Sequence, residues 1–455
     1  MKILLILFYI IKQIKSQSIV KFNFTTKLPN IENITNETFY KINRNDINIP
    51  FCLGTPKQCC NVLIDFSYYH LVIISSSVSN IEKKINKFNE SSSSTYKCEN
   101  NNTQHYFFSD FHIVYPSKES FYINNKIISS NDFFLATKLS EYKSKEKYDY
   151  LCGGFGLGIY TNNKIDFPDS NLINTLKKRN IINTYDFTIK YFDNEKGELI
   201  IGNKPHEYDS KNFKFENYVQ TKIPTSSQNK WSIYFDKLSY GNNDIDNIDF
   251  NLRTVCIFSI NEGLIMGDGY YKNIIDNDFF NEEIKNGNCF VNVINYVYIY
   301  YYCNIKNIDF SKMKKLKMYN KEMNYTFEFT YEDLFYEENG YKYFLIRFYN
   351  RTSKDGVWFL GKPFFQKYQL TFNLDSKIIG FYKPILKKNI FSNINTFLIL
   401  IFGVLITCLL IYIIIFKLRK PRKLRANELN DEYDYTTQIN NVNTSNKNKL
   451  LEFDN

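Results

Sequence analysis

Histidine is scarce in this chain, four in 455 residues, and none of the four stands beside a nucleophile in a recognised spacing. His70, His105, His112 and His206 therefore outline no hydrolase triad, and His70, on an apolar strand, reads as structural. No Gly-x-Ser-x-Gly segment occurs, which removes the serine-hydrolase elbow from consideration. No Cys-x-x-Cys is matched by a His-x-x-x-His, so a zinc site is not expected, nor any other metal or cofactor. Basic residues outnumber acidic ones, for a formal charge of +10. Six of the basic residues, Lys417, Arg419, Lys420, Arg422, Lys423 and Arg425, fall in one short cluster rather than on a folded face. A nucleic-acid partner is not expected.

Long apolar runs are equally rare, and the two that exist are informative. After Lys2 an apolar stretch runs from Ile3 to Ile11 and gives way to polar residues around Ser16 to Ser18. It is too short to span a bilayer and has the charge, length and small-residue exit of a secretory signal peptide, residues 1–17. From Phe397 to Phe416 the chain is uncharged for 20 residues. As a helix that covers about 30 Å, the hydrocarbon thickness. The basic cluster that follows predicts a cytoplasmic tail at 417–455. The expectation is a single-pass type I membrane protein with a span at 396–416 and its body in the secretory lumen or outside the cell. Nine cysteines are present, and Cys408 lies in the expected span. The other eight suit disulfides in an oxidising compartment, with Cys289–Cys303 the best local pair. Sequons at Asn23, Asn33, Asn36, Asn89, Asn101, Asn324 and Asn350 predict a glycoprotein.

Between these ends the pattern is short strands separated by Gly, Asn and Ser turns. Val62-Leu63-Ile64 and Leu71-Val72-Ile73-Ile74 read as buried strands, and Phe187 to Tyr191 and Phe327 to Thr330 alternate. The one convincing helix is Asn171 to Lys178. Residues 18–44 read as a polar segment preceding the first strand. A mostly β architecture follows.

Particular segments then follow, in order across about 330 residues, the landmarks of one known family. Gly54-Thr55-Pro56-Lys57-Gln58 is similar to the G-T-P-x-Q turn, and Phe88 to Lys97 to the F-x-P-S-x-S-S-T-Y segment. Gly153-Gly154-Phe155-Gly156-Leu157-Gly158 resembles D-G-I-L-G-L-G, with Cys152 at the acidic position. Gly197 to Gly202 resembles the strand closing the first lobe, and Trp231-Ser232-Ile233 the opening of the second. Trp358-Phe359-Leu360-Gly361-Lys362 is similar to W-I-L-G-D, and Phe372 to Phe381 to the terminal strand. Together these segments resemble the pepsin-like aspartic peptidases, and the resemblance implies a bilobal acid-protease fold with lobes at 45–215 and 216–385, expected to be a monomer.

It also implies a catalytic pair. In that family one carboxylate from each lobe shares a proton over a water. Here Asp65 fills the first position, but Asp65-Phe66-Ser67 replaces D-T-G, and a Cβ at the third position is expected to be a handicap. In the second loop the acid falls on Ser259 in one alignment and on Phe258 in another, and Glu262 stands three residues further on. The flap tip Y-G-x-G-S becomes Phe107-Phe108-Ser109-Asp110-Phe111. The implied protein is a catalytically inactive homologue that binds an extended peptide between its lobes, through Phe66, Ser67, Tyr68, Phe107, Phe108 and Phe111. The alternative is an active aspartic-type endopeptidase.

Overall fold

Val20, Phe22, Phe24 and Thr26 are buried while Lys21, Asn23 and Thr25 face outward. That period of two makes β1 (Val20–Lys27) a strand with one face in the core. The segment expected to be a polar lead-in thus begins as an integral strand. It continues, after an interval outside the described residues, as α1 (Glu37–Asn43), which buries Phe39 and Ile42. The computed structural model describes residues 19–27, 37–78, 87–99, 103–107, 110–124, 126–139, 151–160, 168–227, 229–241, 248–351, 356–384 and 402–415.

The chain then supplies β2 (Asp46–Leu53), β3 (Gln58–Asp65), β4 (Leu71–Ile74), β5 (Thr103–Phe107), β6 (Asp110–Ile123), β7 (Lys126–Lys138) and β8 (Gly153–Gly156). The expected helix is α2 (Leu172–Lys178), capped by Asn171, whose side chain accepts from the Asn174 N–H. β9 (Asp186–Tyr191) and β10 (Lys196–Ile201) follow. β1 lies between β10 and β2, and β3 runs parallel to β8.

A second, 11-stranded sheet contains β11 (Ser232–Gly241), β12 (Ile248–Phe258), β13 (Ile265–Gly267), β14 (Cys289–Ile294), β15 (Tyr298–Asn304), β16 (Ile346–Tyr349) and β17 (Trp358–Leu360). The short helix α3 (Lys362–Lys367) leads from it to β18 (Thr371–Asn373) and β19 (Ile378–Tyr382). Those last two strands, with Tyr218–Lys222, do not stay in the second sheet. β18 pairs with β9 and β19 with Tyr218–Lys222, completing a first sheet of 14 strands. Sheet membership therefore crosses the boundary expected at 215/216. One continuous apolar core runs under both sheets and includes Phe66, Phe187, Trp231, Phe258, Phe365 and Phe372. The architecture is mostly β, as the turn-broken pattern predicted.

Residues 1–383 form one compact unit and 384–455 another. In the second, residues 402–415 are helical with exposed apolar side chains. Among the described residues no helix is long and apolar enough to cross a membrane. The rest of the expected span, the signal peptide and the tail lie outside the described residues.

Candidate functional site

β3 is an apolar strand that ends on Asp65, and its parallel pairing with β8 sets Ile64 against Phe155 and Asp65 against Gly156. The Asp65 carbonyl accepts from the Leu157 N–H at 2.7 Å, and its Oδ1 accepts from the Ser67 N–H at 2.7 Å. The loop beyond folds back over β8. A Cβ on Gly156 would stand 2.6 Å from the carbonyl oxygens of Tyr68 and His70, so this crossing requires glycine. Ser67 does not meet the handicap expected of it. It is not among the residues with positive φ, so its backbone is open to any L residue.

The second loop follows the same plan. Parallel pairing of β12 with β17 sets Phe258 against Leu360, and the Ser259 N–H donates to the Leu360 carbonyl at 3.1 Å. A Cβ on Gly361 would stand 2.5 Å from the Glu262 carbonyl and 2.1 Å from that of Leu264. Gly361 thus meets Glu262 and Leu264 as Gly156 meets Tyr68 and His70. In this correspondence Ile64 matches Phe258, and Asp65 matches Ser259. Phe258 points inward, 2% exposed, with ring centroids 5.5 Å from Phe364 and 5.8 Å from Phe365 and Phe372. Ser259 is half-buried at the turn.

The residues Ser259 to Gly263 supply one carboxylate, Glu262, and it is engaged elsewhere. Its Oε2 lies 2.8 Å from an Arg347 guanidinium nitrogen. Arg347 is buried, donates to Asn43 Oδ1 at 2.9 Å and stacks 4.3 Å over the Tyr298 ring. The stretch after α1 ties the same loop down: the Gly263 N–H donates to Asn43 O, the Asn45 N–H to Asn261 O, and Asn45 Nδ2 to Ile260 O.

Of the side chains expected to line a groove, Ser67 is exposed. Phe66 and Tyr68 are not presented to solvent. Phe66 is 6% exposed, edge-on to Phe372 at 5.0 Å, Phe365 at 5.9 Å and Phe187 at 6.0 Å. Tyr68 is also 6% exposed, packed in a cluster with Leu63, Val72 and Val114. Burial of aromatic area wins at both positions, Phe66 against rings from distant strands and Tyr68 against the strands that flank its own loop together with Val114. β5 and β6 form a hairpin whose last pair is Phe107↔Asp110, with Tyr106 opposite Phe111. Phe108 and Ser109, at its turn, lie outside the described residues.

Three disulfides frame these elements: Cys52–Cys59 across the β2–β3 hairpin, Cys60–Cys152 from β3 to the residue before β8, and Cys289–Cys303 between β14 and β15. The last is the expected local pair. Cys98 and Cys256 are unbonded, so the even count overstated the pairing. Cys256 is fully buried in β12, and burial pushes its thiol well above the ordinary value. Sequence reasoning missed the Arg347–Glu262–Asn43 anchor, for which no local signal exists: its members lie 85 and 304 residues apart.

Two β lobes sharing a sheet, each ending a strand in a tight loop crossed by a glycine, define a scaffold of the acid-peptidase class. The chain belongs to the eukaryotic aspartyl protease family, which it matches over residues 48–383. No curated protein matches the chain.

Proposed function

We propose that this chain is a membrane-tethered, catalytically silent aspartyl-protease homologue that holds an extended peptide in its inter-lobe groove. The observation that carries the reading is Ser259, which pairs along β17 as Asp65 pairs along β8. A serine hydroxyl cannot share a proton with a carboxylate as a second acid would, so no water is activated between the loops. The nearest acid of that loop, Glu262, faces Arg347. What remains are the two loops and the β5–β6 hairpin, along which an extended peptide would pair in strand-like fashion. The 20-residue apolar run and the basic cluster after it support the tether.

Full-length protein in detergent, incubated with an unfolded substrate at about pH 3 to 5, the range of a shared carboxylate pair, is expected to release no fragments. The retained Asp65 and the Ser67 N–H on its Oδ1 favour one alternative, an active endopeptidase. That alternative requires cleavage blocked by a statine-type transition-state mimic and lost in Asp65→Ala. A peptide library captured equally by the wild type and by a chain lacking residues 103–124 would remove the groove from the proposal. Resistance of the protein to carbonate extraction tests the tether.

A further inference from the structure

A cavity of about 350 Å³ lies between α1, the β9–β10 turn, the helix Tyr331–Leu334 and α3, and neither Asp65 nor Ser259 lines it. Eight charged side chains do, four of each sign: Lys41, Arg44, Lys362 and Lys367 against Asp193, Glu195, Glu332 and Asp333. Six of them are already engaged. Lys41 pairs with Glu37 and Glu338, Arg44 with Asp46, and Lys367 with Asp333. Glu332 accepts from the Thr330 hydroxyl, and Asp193 from the N–H groups of Glu195 and Lys196. Among the described residues, the Lys362 ammonium and the Glu195 carboxylate have neither an ion pair within 4.0 Å nor a side-chain hydrogen bond.

Lys362 is placed at a cost. It is the first residue of α3 and is followed by Pro363. It is half-buried, and burial pushes its ammonium below the ordinary value, while Glu195 and Asp193 pull the other way. Around the two unengaged groups stand apolar walls, Phe335, Tyr336 and Leu345. An outside anion would offset the cost at Lys362, and an outside cation would complete Glu195. One unengaged cation and one unengaged anion favour a ligand of no net charge. The volume is at the small end of ligand pockets, which run from about 300 to 1,000 Å³.

We propose that this cavity binds a small zwitterion with an apolar body, of the aromatic α-amino-acid class. Its carboxylate meets Lys362, its ammonium meets Glu195, and its ring packs on Phe335 and Tyr336. The site goes beyond the groove function and is independent of whether Asp65 is catalytic.

The test is calorimetric titration of the full-length protein in detergent with L-phenylalanine. Binding is expected at millimolar or tighter concentration. Phenylalaninamide, which lacks the carboxylate, and 3-phenylpropionate, which lacks the ammonium, are each expected to bind at least about tenfold more weakly, since each leaves one charge unmatched. Lys362→Met and Glu195→Gln are expected to cause losses of the same order, and Lys230→Met, at an exposed site, none. Glu195 lies on an exposed turn, so Glu195→Gln serves even if Lys362→Met fails to fold. No binding up to about 10 mM, equal binding of either analogue, or unchanged affinity in Glu195→Gln overturns the proposal. Proteolysis by the protein would overturn the groove reading and leave this one standing.

Discussion

A carboxylate's role depends on what stands opposite it, and that can be tested without any substrate. If Ser259 faces Asp65, Ser259→Asp places two acids together and raises the proton affinity of one above its unfolded value. The folded protein then binds more protons than the unfolded chain, so stability rises as pH falls. Denaturant melts of Ser259→Asp are expected to show about 1–3 kcal/mol more stability near pH 4 than near pH 7, relative to wild type. Adding Asp65→Asn should abolish the difference, and a flat profile would mean the two positions do not meet. Elsewhere, Arg347→Met removes the ion pair to Glu262 and the donor to Asn43 Oδ1 and is expected to cost about 3 kcal/mol in chemical denaturation, more than Glu262→Gln. The two loops were legible in the sequence, because glycines and short motifs mark them, but the sequence left Ser259 and Phe258 as alternatives, which the pairing of Phe258 with Leu360 separates. The inward turn of Phe66 was not legible, since Phe187, Phe365 and Phe372, which receive it, are each more than a hundred residues away.

At the scale of elements, β3 and β4 were legible as short apolar runs, β9 by its alternation and α2 by its helical spacing. β1 was passed over although Val20, Phe22 and Phe24 alternate, because the polar residues between them set the tone of the segment. Two element-level joints make predictions. Cys60–Cys152 closes 92 residues and Cys52–Cys59 only 7. On chain entropy, replacing the first pair by serines should cost about 4–5 kcal/mol and the second about 2–3, measured by denaturant melts. At the end of β19, Tyr382 Oη lies 2.6 Å from His206 Nδ1 and accepts from the His206 N–H at 3.1 Å. Burial lowers the His206 pKa below its ordinary 6.5. The neutral ring is therefore the folded form, and its contribution is present above 6.5 and is lost as pH falls through the lower folded value. His206→Asn is expected to flatten the fall of melting temperature across that window.

At the scale of the molecule, the two lobes are not separable pieces, because β18, β19 and Tyr218–Lys222 belong to the first sheet. Residues 19–215 expressed alone leave the β9 edge bare and are expected to be insoluble, whereas residues 19–384 should unfold in one cooperative transition by calorimetry. Two transitions with independent midpoints would contradict a shared sheet.

That borrowing of late strands also constrains synthesis. The ribosome makes β9 nearly two hundred residues before its neighbour β18 exists. Until then an uncapped row of amides is open to other nascent pairing surfaces. Chain termination before Thr371 is therefore expected to leave a sticky fragment with that edge bare rather than a smaller folded protein.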